Sequence, residues 1–149
     1  MKKQQKNIFL ILLFSGFSMV SSATLAMCRM SDIGAGQIRL QPVSGSTSTT
    51  GVSVECDRMF TIKFDSQNML NMNGESMLKG QHLSYAGKNN HIRVKYSLHG
   101  DAGMLWQKNV LQHKKSKHHY IIKAELQNFN AARVRAGDYS DRIMITVDY

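Results

Sequence analysis

The chain has 149 residues, a formal net charge of +9 and two cysteines. That length supports one domain with its own core. The two cysteines lack close His or Cys neighbours, which excludes a zinc-finger type of site.

The chain opens on a leader. Lys2, Lys3 and Lys6 form a basic region, Ile8 to Val20 an apolar one, and Ser21 to Ala26 a mostly small one. That is the pattern of a secretory signal peptide over residues 1–26, cut after Ala26 or after Ala23. The apolar run is too short to stay in a bilayer, so no stable membrane anchor is expected. Met27 is too large to precede a lipidated cysteine. Losing Lys2, Lys3 and Lys6 lowers the charge from +9 to +6. Nucleic acid is not an expected partner of an exported protein. The charge bears instead on anionic surfaces and polysaccharide, or only on solubility.

The domain proper is residues 27–149. Export and an even count point to a Cys28–Cys56 disulfide. Its loop of about 28 residues stabilises the fold by roughly 3–4 kcal/mol in the chain-entropy account. Cys28 to Gly36 reads as irregular, Gln37 to Gln41 as a strand stopped by Pro42, and Ser44 to Gly51 as a mobile polar loop. Val52 to Cys56 and Met59 to Asp65 alternate and read as strands. Ser66 to Gly80 reads as a polar loop. Ser76 to Leu83 is the least poor helical period, but it holds Gly80. Leu83 and Tyr85 suggest a short strand. Ile92 to Leu98 is the cleanest alternation, Gln112 to His119 a basic loop, and Tyr120 to Leu126 another strand.

Gly137-Asp138 is a turn signal, after which Ile143, Ile145, Val147 and Tyr149 alternate with Met144, Thr146 and Asp148. A chain that stops on such a strand either tucks it between neighbours or lines an edge or groove that something else fills. The second is expected here. Several short strands, polar turns and no convincing helix give an all-β sandwich of immunoglobulin-like size.

Sites for chemistry are sparse. His118 and His119 are adjacent, so on a strand they face opposite ways. His113 and His118 flank Lys114, Lys115 and Lys117, which repel a cation. Met69, Met72 and Met77 are soft ligands suited to copper(I), or core fillers. Trp106 with Tyr85 and Tyr96 suits either a sugar ring or a sandwich core. No G-x-S-x-G elbow is present, and most acidic residues flank turns. Neither an enzyme nor a bound cofactor is expected.

The ending A-G-D-Y-S-D-R-I-M-I-T-V-D-Y resembles the C-terminal signature of the spore coat protein U domain family, through Gly137, Tyr139, Asp141 and the closing Tyr149. Val52–Cys56 resembles the family's second-cysteine strand. Cys28 stands in place of its first cysteine, and the Ile92–Leu98 strand followed by Trp106 also fits. The resemblance implies a pilin subunit of archaic chaperone–usher pili, serving adhesion and biofilm formation at the cell surface. It implies an immunoglobulin-like sandwich lacking its last strand, completed by donor-strand complementation. A periplasmic pilus chaperone, an outer-membrane usher and other pilin subunits are the implied partners. Ile143, Ile145, Val147 and Tyr149 are expected to border the groove. Few residues precede Cys28 after cleavage, so the chain is expected to accept a donor strand rather than give one. The alternative is a self-contained secreted β-sandwich that binds carbohydrate or copper.

Overall fold

A computed structural model describes residues 27–32, 37–81, 90–101, 103, 106–113 and 117–149. Among them the chain forms strands β1 (Cys28–Asp32), β2 (Thr47–Cys56), β3 (Phe60–Ser66), β4 (Glu75–Gly80), β5 (His91–Gly100), β6 (Val110–Gln112), β7 (His118–Leu126), β8 (Tyr139–Ser140) and β9 (Ile143–Asp148), with no helix. One sheet has the order β1-β2-β7-β5-β4-β8 and the other β6-β3-β9. Every pairing is antiparallel.

The alternation seen in the sequence decides which side chains face inward. Phe60, Ile62 and Phe64 of β3 are buried, as are Val94, Tyr96 and Leu98 of β5 and Tyr120, Ile122 and Ala124 of β7. With Val52, Val54 and Cys56 of β2 they form one core. Each large apolar side chain buried there stabilises the fold by about 1.5–3 kcal/mol. Trp106 joins the core from a turn, its ring centroid 5.6 Å from that of Tyr96 and 6.3 Å from that of Phe64. Gly74 makes that packing possible. It sits at φ +84°, and a Cβ there would stand 2.1 Å from the Tyr96 carbonyl oxygen and 2.9 Å from the Trp106 indole nitrogen.

The order β1-β2-β7-β5, faced by β3 and β9, is that of strands A-B-E-D and C-F in an immunoglobulin-type sandwich. The expected all-β, immunoglobulin-like architecture is therefore what the strand pairing builds. The place of the last strand in that scheme is beside β9. Among the described residues, β3 is the only strand that pairs with β9.

Cys28 and Cys56 are bonded and lie directly opposite each other, Cα–Cα 4.2 Å. Several local expectations need correction. Cys28–Asp32 is a strand and not irregular, because β2 offers Val52–Cys56 as partner. Within Ser44 to Gly51 only a tight turn at Ser44-Gly45 remains, and Thr47–Gly51 belong to β2 and pair with Ile121–Glu125 of β7. A complete neighbouring edge outweighs polar composition. The loop expected at 66–80 contains β4, which also overrides the weak helical period there, because β5 pairs with Glu75–Lys79. The basic loop at 112–119 is trimmed by β6 at one end and by β7, which starts at His118, at the other. His118 is buried and His119 exposed, on opposite faces. Gln37 to Gln41 alternates in exposure but belongs to no sheet. Leu83 and Tyr85 lie outside the described residues.

Candidate functional site

The inward residues of β9 set it apart. Ile143, Ile145 and Val147 pack against the core yet are only half-buried. The equivalent β7 residues Tyr120, Ile122 and Ala124 are 0%, 3% and 1% exposed. The difference lies in the covering. β7 has β2 and β5 on its two sides, whereas β9 has β3 on one side.

Beside β9 runs a cleft of about 1000 Å³. Ile143 and Ile145 form one wall, and the extended segment Gln37–Pro42 forms the other. Its floor is apolar, from Val52, Ile122, Ala124 and Leu126 of the large sheet. Gly137 to Arg142 lines it as well. Ile38 and Leu40 turn toward the core and are half-buried. The Gln41 backbone N–H donates to Ser46 Oγ at 2.9 Å, which pins the end of this segment to the turn before β2. A cleft with an apolar floor and a strand paired on only one side along its wall is the geometry that accepts an added strand.

The chain passes from the large sheet to the small one at residues 141–142, between β8 and β9. Tyr139 braces this corner, its hydroxyl donating to the Arg135 carbonyl at 3.0 Å. A tyrosine bonded to backbone just upstream recurs at the start of strand F in immunoglobulin-type domains. Asp141 follows at the crossing. Its Oδ2 accepts hydrogen bonds from Ser76 Oγ at 2.7 Å, from the Tyr96 hydroxyl at 3.2 Å and from Ser66 Oγ. Its Oδ1 accepts from Asn68 Nδ2 at 3.1 Å and from the Arg142 N–H at 2.8 Å. Burial pushes the Tyr96 hydroxyl far above its ordinary value, and the charge and hydrogen bond of Asp141 push the same way.

The other sequence candidates fall elsewhere. Tyr149 follows β9, is 62% exposed and does not line the cleft. Trp106 and Tyr96 are core residues, 1% and 4% exposed, so neither presents a face to a sugar. Met69 packs against the core, Met72 is exposed and Met77 half-buried on β4. No group of three or more His, Cys, Asp or Glu among the described residues could hold a metal ion. His118 is buried against Phe60 and Tyr120, with Nε2 at 3.0 Å from the His113 carbonyl. Burial also raises the Tyr120 hydroxyl above its usual range, helped by the nearby Asp101 charge. No described helix is long and apolar enough to cross a membrane.

Sequence reasoning missed two parts of this site. The Gln37–Pro42 wall was legible as alternation but not as a flank. Asp141 was legible only as a motif residue.

No family model matches the chain, and no curated protein matches it. Among solved structures it aligns with the P pilus rod subunit PapA at 12% identity and TM-score 0.45, covering 82% of this chain and 98% of that one. It also aligns with HdaB, the minor tip subunit of the E. coli Hda pilus, at 12% identity and TM-score 0.40, covering 83% of this chain and 82% of that one.

Proposed function

We propose that this chain is a non-enzymatic subunit of a surface pilus, and that its open cleft is completed by an extended strand from another polypeptide. The observation that carries this reading is the half-buried inner face of β9 beside a cleft with an apolar floor and polar rims. A strand laid there gains main-chain hydrogen bonds from β9. Its alternate side chains enter the trough over Ile122, Ala124 and Leu126. Gln37–Pro42 would flank it on the far side. The reading extends to a periplasmic chaperone that holds the strand site until an usher passes the subunit to its neighbour, and to a role in adhesion and biofilm formation. The resemblance of the C-terminal segment to the spore coat protein U family supports these finer assignments.

The test is export of the chain to a periplasm with and without a co-expressed periplasmic pilus chaperone. Recovery as a complex only in the presence of the chaperone is expected. Ile145→Asp with Val147→Asp should abolish that recovery. A soluble monomer made alone, indifferent to those substitutions, would count against the proposal.

A further inference from the structure

The apolar pattern of β9 does not define its own register. Ile143, Ile145 and Val147 repeat with period two. A slip of one residue would turn them out to solvent, but a slip of two keeps the same face inward. Register is often fixed by a hairpin turn, yet β9 is joined to β8, of the other sheet, and not to its partner β3. No described strand on its other side holds it either.

What holds β9 is polar and sits at its beginning. The last register pair is Ser66 with Ile143, and the Gln67 N–H donates to the Arg142 carbonyl at 2.9 Å. Next to that pair, the Asp141 carboxylate collects Ser66 at the end of β3, Asn68 beyond it, Ser76 of β4 and Tyr96 of β5. Ser66 Oγ and Ser76 Oγ lie 2.8 Å apart, so the two hydroxyls converge on one carboxylate oxygen, and both residues are buried. These partners come from both sheets. If β9 slid by two residues, Asp141 would move along the strand axis by about 6.5 Å, further than a hydrogen bond reaches. The buried hydroxyls of Ser66, Ser76 and Tyr96 would then lose their common acceptor, and only the two serines could pair with each other in its place.

We propose that Asp141 is the register pin of β9, a polar residue that selects one alignment of a strand whose apolar pattern permits several. A single buried polar side chain fixes alignment in the same way in coiled coils. Asp141 is thus a positioning residue for the open cleft, because the register of β9 decides which of its side chains face an incoming strand. That last link rests on the proposed function; the register claim itself does not.

The test reads register directly by disulfide trapping on the outward faces of β3 and β9. Both native cysteines are bonded to each other, so introduced thiols report alone. Lys63 lies opposite Thr146. Lys63→Cys is paired in turn with Thr146→Cys, Met144→Cys and Asp148→Cys, the latter two trapping two-residue slips. With Asp141 intact, the 63–146 bridge should form fastest. Asp141→Ala should raise the ratio of slipped to aligned bridges severalfold. Asp141→Asn, which keeps one acceptor oxygen, should fall between. If Asp141→Ala does not fold, Asp141→Asn and Ser76→Ala decide the matter by the same ratio. An unchanged ratio in the folded variants overturns the proposal, even if they melt earlier, because a simple brace would lower stability without altering alignment. Strand binding is not used as the readout, so failure of the cleft reading cannot be mistaken for failure of the pin.

Discussion

Strands β7 and β9 carry the same kind of sequence and meet different fates. Each alternates apolar and polar residues, and each turns its apolar face toward one core. β7 lies between two neighbours and its inner residues are sealed. β9 has one neighbour, and its inner residues stay half open beside a cleft. Alternation therefore tells which side chains face inward, and the number of neighbouring strands tells whether anything covers them.

The contrast can be broken most heavily on the covered side. Tyr120→Ala should cost about 3–5 kcal/mol, since Tyr120 is fully buried away from the cleft and its loss opens a cavity in the enclosed core. Chemical denaturation measures it, and a loss below about 1 kcal/mol would mean that β7 is less enclosed than its burial indicates. Replacing Cys28 and Cys56 together by Ala should cost roughly 3–4 kcal/mol in the chain-entropy account. It should leave the β9 ladder alone, because the bridge ties β1 to β2 in the large sheet, whereas β9 pairs with β3 in the small one.

Alkaline pH sharpens the contrast more gently. Tyr96 and Tyr120 both have hydroxyls raised above the ordinary value of 10.0, chiefly by burial. A group whose folded value is raised keeps a proton that the unfolded chain gives up. Stability should thus be unaffected by these two below pH 10.0 and should fall as the pH climbs above it. Denaturation midpoints at increasing alkalinity, read beside tyrosinate absorbance, check the direction. Ionisation of both rings without loss of stability would contradict their enclosure.

The smallest effect belongs to the open side. Ile145→Ala in the isolated chain should cost only about 1 kcal/mol, because its side chain is half-exposed already. With a strand in the cleft the same substitution should approach the cost of a sealed core residue. The difference between the two denaturation curves is the quantity of interest.

Much of this was legible in the sequence, and the limits have physical causes. The strands read at 59–65, 92–98, 120–126 and 143–149 announced themselves because each has one wet and one dry face, and the structure extends or trims them by one or two residues at their ends. Thr47–Gly51 and Cys28–Asp32 did not, because partners supplied from elsewhere in the chain make them strands. Trp106 read more readily as core than as a binding platform, and its neighbours Phe64, Tyr96 and Gly74 bear out the core. The Asp141 cluster joins residues up to 75 positions apart, so no local pattern could reveal it.

The most direct measurement of the central claim is residue-resolved amide exchange along β9. The probe is a synthetic peptide of alternating Val and Thr with lysines at its ends. In the free chain, amides of Ile143–Asp148 that face β3 should be protected and the alternate ones should exchange freely. With the peptide bound, the alternate amides should gain protection while those of β7, already paired on both sides, change little. Full protection of β9 in the free chain, or no gain with any extended apolar peptide, would contradict the account.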